Sequence, residues 1–241
     1  MILEAASAAA ARLFTPEFRS VLYKSLGLTI LALIGLWFLI TGAFEALALP
    51  PLLSFLPDLP DWTSWLGWIA AIFAGIALAL GLGLLIAPVT ALIAGLFQDD
   101  VAEIIEREDY PQDGLGRALP LVTSIIVSLK FLGLVIAGNL LALFLLLIPG
   151  VNFIAFFVVN GYLIGREFFE FAAMRYRSEA EAKALRRRHA GTVFIGGLVI
   201  AAVLSVPILN LLGPIFAAAM MVHLHKAVSA RESASQRSLP G

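Results

Sequence analysis

The chain has 241 residues, of which 61% are hydrophobic and 14% charged, with a formal net charge of −1 and a mean hydropathy of +0.96. Soluble domains are about 25% charged, so this composition excludes an ordinary soluble domain and predicts a bilayer as solvent. The absence of cysteine excludes disulfides, thiolate zinc sites and cysteine nucleophiles.

Residues 1–24 read as an N-terminal interfacial segment. They carry Glu4 and no basic leader region, so a secretory signal is not expected. Arg12, Arg19 and Lys24 stand before the first span, as cytoplasmic positive charges do. Span 1 covers 25–49 and stops at Pro50-Pro51, which cannot continue a helix. The linker 50–63 holds four prolines, Asp58 and Asp61, and no Lys or Arg, which places it on the non-cytoplasmic side. Trp62, Trp65 and Trp68 suit an aromatic belt there.

Span 2 covers 64–109. Ser64 to Phe97 is a run of 34 residues without a charge, beyond the ~20 a bilayer requires, so it must tilt, bend at Pro88 or emerge. Small residues recur at every fourth position, at Gly67, Ala71, Gly75, Ala79, Gly83, Ala87, Ala91 and Gly95. Such spacing lets helices approach closely in lipid, although an Ala- and Gly-rich segment also produces it by chance. Beyond it, 98–109 reads as an acidic helical extension ended by Tyr110-Pro111.

Two interrupted apolar regions follow, 119–174 with a break at Pro149-Gly150, and 190–228 with breaks at Pro207 and Gly213-Pro214. Most of their arms fall below ~20 residues. Basic stretches on both sides of each region favour hairpins that enter and return. Residues 229–241, rich in Ser and Arg, read as a disordered tail. The fold class predicted is therefore an all-α integral membrane protein, a single membrane domain over 1–228 with two long transmembrane helices and two Pro/Gly-tipped helical hairpins.

Charge is segregated. Asp99 to Arg117 holds seven acids against two arginines, a net of −5, whereas Arg175 to Arg188 has a net of +4. The two stretches either face each other or form separate solvated loops.

Several short elements occur in a fixed order over about residues 15–228. They are Phe55-Leu56-Pro57-Asp58, Ala87-Pro88 followed by Asp99-Asp100-Val101-Ala102-Glu103, then Ile148-Pro149-Gly150, Asn160 to Glu167, and Val206 to Leu211. In this ordered set the chain resembles the CysZ-like sulfate permeases, grouped with the etoposide-induced membrane proteins. The resemblance implies a bacterial inner-membrane, multi-pass, oligomeric protein passing sulfate inward for cysteine synthesis. It also implies a sulfate-binding Pro-Gly-(Leu/Ile)-Arg element before the first span. The matching stretch here is Pro16-Glu17-Phe18-Arg19. Arg19 matches the arginine, Glu17 replaces the glycine, and Ser20 stands where many members have a second basic residue. Glu103 matches the family's glutamate beside the acidic extension, and Arg107 its arginine after a shift of register.

The expected anion contacts are thus Arg19, Phe18, Ser20, Glu103 and Arg107. Arg suits tetrahedral oxyanions because its planar fork gives two hydrogen bonds; the alternative for Arg19 is a headgroup anchor. Lys130 at the start of an apolar arm is either functional or snorkels to the interface. Arg166 and Glu170 are spaced to pair on one helix face. Asn139, Asn160 and Asn210 either line a path or join helices by hydrogen bonds. His223 and His225 fall on different helical faces, a poor metal arrangement, and read as interfacial. No phosphate loop, dinucleotide fingerprint or hydrolase motif is present, so no ATP drive, enzyme activity, cofactor, metal or nucleic-acid partner is expected. Partners are the lipid bilayer, a small oxyanion and further copies of the chain. A non-transporting membrane scaffold, or a carrier of another solute, is the alternative function.

Overall fold

The computed structural model describes residues 1–48, 95–120, 151–206 and 212–237, with scattered single positions at 50, 69–93, 122–137 and 209. Among them every regular element is helical. In chain order these are α1 (Ile2–Arg12), α2 (Pro16–Ala43) continued by a π-helical turn (Phe44–Ala48), α3 (Gln98–Asp109) with a 3-10 turn (Pro111–Asp113), α4 (Val151–Met174), α5 (Glu179–Arg188), α6 (Ala190–Leu204) and α7 (Gly213–Arg237). The chain divides into two compact units, one of residues 1–25 and 94–241, the other of residues 26–93.

In the first unit α1 forms because alanine is the best helix former. Glu4 in its first turn and Arg12 in its last complement the helix dipole. Ala5 and Ala9, four apart, are buried, so one face of this helix packs inward. Pro16 opens α2, a position where its missing N–H costs nothing. Phe18 and Val21 join the core of the unit.

The centre of the unit is α7. From Ile215 to Val228 almost every residue is buried, including Ala217, Ala218, Ala219, Met220, Met221 and Leu224. A helix apolar on all sides is surrounded on all sides, and α1, α3, α4 and α6 all pack against it. The arm read as ending near Leu224 is thus the middle of a 25-residue helix. The helix also runs through 229–237, where composition suggested disorder. Glu232 on this extension binds Arg188 at 3.0 Å and His189 at 3.2 Å, and those bonds give it a reason to stay ordered.

Among the described residues α4 and α6 cross with their backbones close together. A Cβ added at Gly165 would meet the Val193 carbonyl oxygen at 2.6 Å, and one at Gly197 would strike the Gly161 carbonyl oxygen. Gly161 and Gly165 form a Gly-xxx-Gly step on α4, which allows this backbone approach. α5 starts with a capping box in which Ser178 and Glu181 satisfy each other's backbone N–H. α5 and α6 meet at a bend of 90°, and α6 ends at Leu204, before Pro207.

In the second unit, α2 stands with Leu31, Phe38 and Leu39 about two-thirds exposed, at 65%, 69% and 66%. Among the described residues Pro16–Leu47 is the one unbroken helix long and apolar enough to cross a membrane. Of the small-residue ladder, Gly75, Ala79 and Gly95 are described, and a Cβ added at Gly75 meets nothing within 4 Å.

Candidate functional site

Arg19 lies one turn into α2, its backbone N–H bonded to the Thr15 carbonyl at 3.0 Å. The earlier N–H groups of a helix have no partner in its ladder, and with the dipole they make its N-terminus favourable to anions. The Arg19 side chain is exposed. It donates to the Tyr23 hydroxyl at 3.3 Å and lies 5.9 Å from that ring's centroid. Glu17 and Ser20 are exposed on the same turns. Phe18 is not, being 1% exposed; as an anion contact it offers its backbone only, because its ring belongs to the core.

Glu103 and Arg107 pair with each other across one turn of α3, both exposed. Among the described residues no hydrogen bond or ion pair joins them to Arg19, so the structure does not gather the expected anion contacts into one shell. On α4, Arg166 lies 3.6 Å from Glu170, as its spacing predicts. The tighter partner of Glu170 is Arg186 of α5, at 2.6 Å. Asn160 is half-buried beside the Gly161 crossing, and Lys130 is exposed. Asn139 and Asn210 lie outside the described residues.

The polar centre that the structure does assemble is built on Arg175, at the end of α4. Its guanidinium is 3% exposed and forms a two-pronged bond to Glu106, Nε to Oε1 at 2.7 Å and Nη2 to Oε2 at 2.8 Å. Its third arm reaches Asp99. The Gly116 N–H donates to Glu106 Oε2 at 2.9 Å, and the Arg117 N–H donates to the Arg175 carbonyl at 2.8 Å. Gly116 is required here, because a Cβ would come within 2.8 Å of Arg175 Cβ. Burial pushes the Glu106 carboxyl up, but the guanidinium and the Gly116 N–H outweigh it and hold it below its usual value. For Asp99 burial wins, and its carboxyl is raised despite Arg175. The acidic and basic stretches therefore do face each other, through Arg175. Other members pair elsewhere, as Arg12 of α1 takes Glu108 and Asp109.

Next to this centre α7 contributes its own polar residues. Tyr110 Oη and His223 Nδ1 are 2.9 Å apart. Lys226 donates to Asp113 at 3.1 Å and to the Tyr176 hydroxyl at 2.9 Å. Both histidines are buried, at 5% and 3% exposed, which corrects their interfacial reading. The physical reason is the position of α7 in the middle of the unit. Among the described residues no group of His, Asp and Glu is arranged to hold a metal.

Among the described residues the chain is all-helical, with one long exposed apolar helix that has an arginine near its N-terminus. A family model described as Sulfate transporter CysZ/Etoposide-induced protein 2.4 matches residues 5–214. The match covers most of the chain, and the chain belongs to that membrane-associated family. No curated protein matches it.

Proposed function

We propose that this protein passes sulfate, or a similar small oxyanion, across the bacterial inner membrane, with Arg19 at the entry. The observation that carries the reading is the conjunction of the family match over residues 5–214 with an exposed arginine at the start of an exposed apolar helix. In this reading α2 and the 64–97 run cross the bilayer, and the two broken regions form hairpins. The anion is met at the cytoplasmic end of α2 by the Arg19 fork and by the N–H groups of the first turn. The passage is a channel or a gradient-driven carrier, since no nucleotide-binding loop is present in the sequence.

The test is uptake of labelled sulfate into proteoliposomes, with binding measured by calorimetry at matched ionic strength. Arg19→Ala should weaken binding by about ten- to a hundredfold, as the loss of charge-assisted bonds implies. Arg19→Lys should restore only part, because an ammonium lacks the planar fork. Glu17→Gly should strengthen binding by removing a like charge. Equal uptake by parent and Arg19→Ala would place the site elsewhere, and no sulfate uptake by the parent would overturn the reading.

A further inference from the structure

A cavity of about 300 Å³ opens between the Asp113 turn, the segment after α4 and the last turns of α7. Its lining includes Arg177, Lys226, His225, Ser229 and Ser233. We propose that it is a second oxyanion site, separate from Arg19, which takes a tetrahedral dianion such as sulfate or phosphate.

The argument starts from ion pairing. Arg175, Arg186 and Arg188 each close on a carboxylate within hydrogen-bond distance. Arg177 does not. Its half-buried guanidinium makes one hydrogen bond, to the Ser229 hydroxyl at 3.4 Å, and no ion pair among the described residues. It is therefore a cation at a cavity wall with most of its fork unused, the arrangement that suits a two-pronged oxyanion contact.

Lys226 supplies the second cation and is itself 7% exposed. Asp113 and the Tyr176 hydroxyl hold two of its three N–H donors. The Tyr176 ring lies 4.1 Å from the Nζ and fixes it further. Asp113 is the one carboxylate in the lining. It offsets Lys226 and leaves Arg177 as the uncompensated charge, so the empty cavity is net positive.

The floor is His225. Its ring stacks on Tyr176, centroids 5.8 Å apart, and its Nε2 is 3.2 Å from Ser229 Oγ. With the proton on Nε2, Ser229 accepts from both His225 and Arg177, and its own O–H is left to donate into the cavity. Ser233, one turn further along α7, also lines the space, its hydroxyl donating to the Ser229 carbonyl at 3.0 Å. Two cations and the Ser229 hydroxyl converge on one space, a donor set that suits a tetrahedral oxyanion.

The experiment is calorimetric titration of the full-length protein in mild detergent with sodium sulfate, and separately with phosphate, in the Arg19→Ala background. That background should still bind sulfate. Adding Arg177→Gln should weaken binding about tenfold or more, and Ser229→Ala by less. Arg187→Gln, which removes the same charge from an exposed position of α5, should change nothing. Arg177→Lys keeps the charge without the fork and should fall between, which guards against a glutamine variant that misfolds. The proposal is overturned if Arg19→Ala binds no oxyanion, or if Arg177→Gln and Arg187→Gln behave alike. Sulfate flux through Arg19 is measured separately, so failure of either site leaves the other standing.

Discussion

Helices α2 and α7 are of similar length, and their burial runs opposite to their apolarity. Only 6% of the most apolar window of Pro16–Leu47 is buried, whereas α7 buries Lys226, His223 and His225. The difference teaches what hydropathy measures in this chain. α7 is lined with alanines, so neighbours approach from every side, and each of its buried polar residues has found at least one partner. α2 carries large apolar side chains that stand exposed, and a soluble protein rarely leaves so continuous an apolar surface uncovered. Under the proposed function, lipid covers it.

If the polar interior around α7 is a structural device, breaking it should cost far more than any change on α2. Glu106→Ala leaves the Arg175 guanidinium buried with Asp99 alone, and should destabilise by about 3–5 kcal/mol. Replacing both, as Glu106→Leu with Arg175→Met, should recover much of this, since well-packed apolar pairs often match a buried ion pair. Thermal unfolding in detergent measures both. A loss below about 1 kcal/mol for the single change is what an exposed pair gives, and would show that water reaches the centre.

The glycines sharpen the same contrast. Gly197→Ala drives a methyl into the Gly161 carbonyl, where backbone cannot yield cheaply, and should cost about 1–3 kcal/mol. Gly75→Ala, in open space, should stay within about 0.5 kcal/mol. Gly75→Leu should instead weaken association of copies, read by native mass spectrometry, if the ladder serves assembly. A monomer both with and without the substitution removes that role.

These glycines also show how far the sequence could be read. The spacing of small residues was visible at both 67–95 and 161–165. The first lies mostly outside the described residues, while the second makes a described contact with Gly197, a partner that spacing alone does not reveal. The segregation of charge was legible, and the meeting of the two stretches at Arg175 follows it. That Arg186 takes Glu170 from its neighbour Arg166 was not legible, since it depends on the turn after α4 that lays α5 back against α4. The histidines were misread because two residues on opposite helix faces suggest an interface, unless the helix lies at the centre. For the candidate site, Arg19 was legible as a basic residue before the first span, whereas the Arg177 cavity joins three segments distant in sequence.

The pH dependence of stability should carry the mark of Glu106. Its folded carboxyl titrates below the ordinary value of about 4.5, so the unfolded chain binds the proton more readily. Its contribution is fully present above that ordinary value and is lost as pH falls through the folded one. Asp99 works against it. Its folded value is raised, so the folded state gains protons first and its contribution to stability grows as pH falls. Melting temperature against pH should fall on the acid side in the parent and flatten in Glu106→Gln. Asp99→Asn should steepen the fall, and a flat parent profile would mean the two cancel.

The smallest effect on stability should come from Glu103 and Arg107. They pair across one turn of α3, with side chains 47% and 66% exposed. An exposed pair at this spacing contributes about 0.3–0.5 kcal/mol, and salt should erase it. Glu103→Ala should therefore leave the melting temperature almost unmoved. That makes these residues a clean probe of function, because a change in transport cannot be blamed on unfolding. If the pair borders the oxyanion's route, Arg107→Ala should slow sulfate uptake, and Glu103→Ala should speed it by unmasking the guanidinium. Equal uptake in both variants and the parent would assign the pair to the solvated surface of α3, and leave Arg19 as the proposed anion contact.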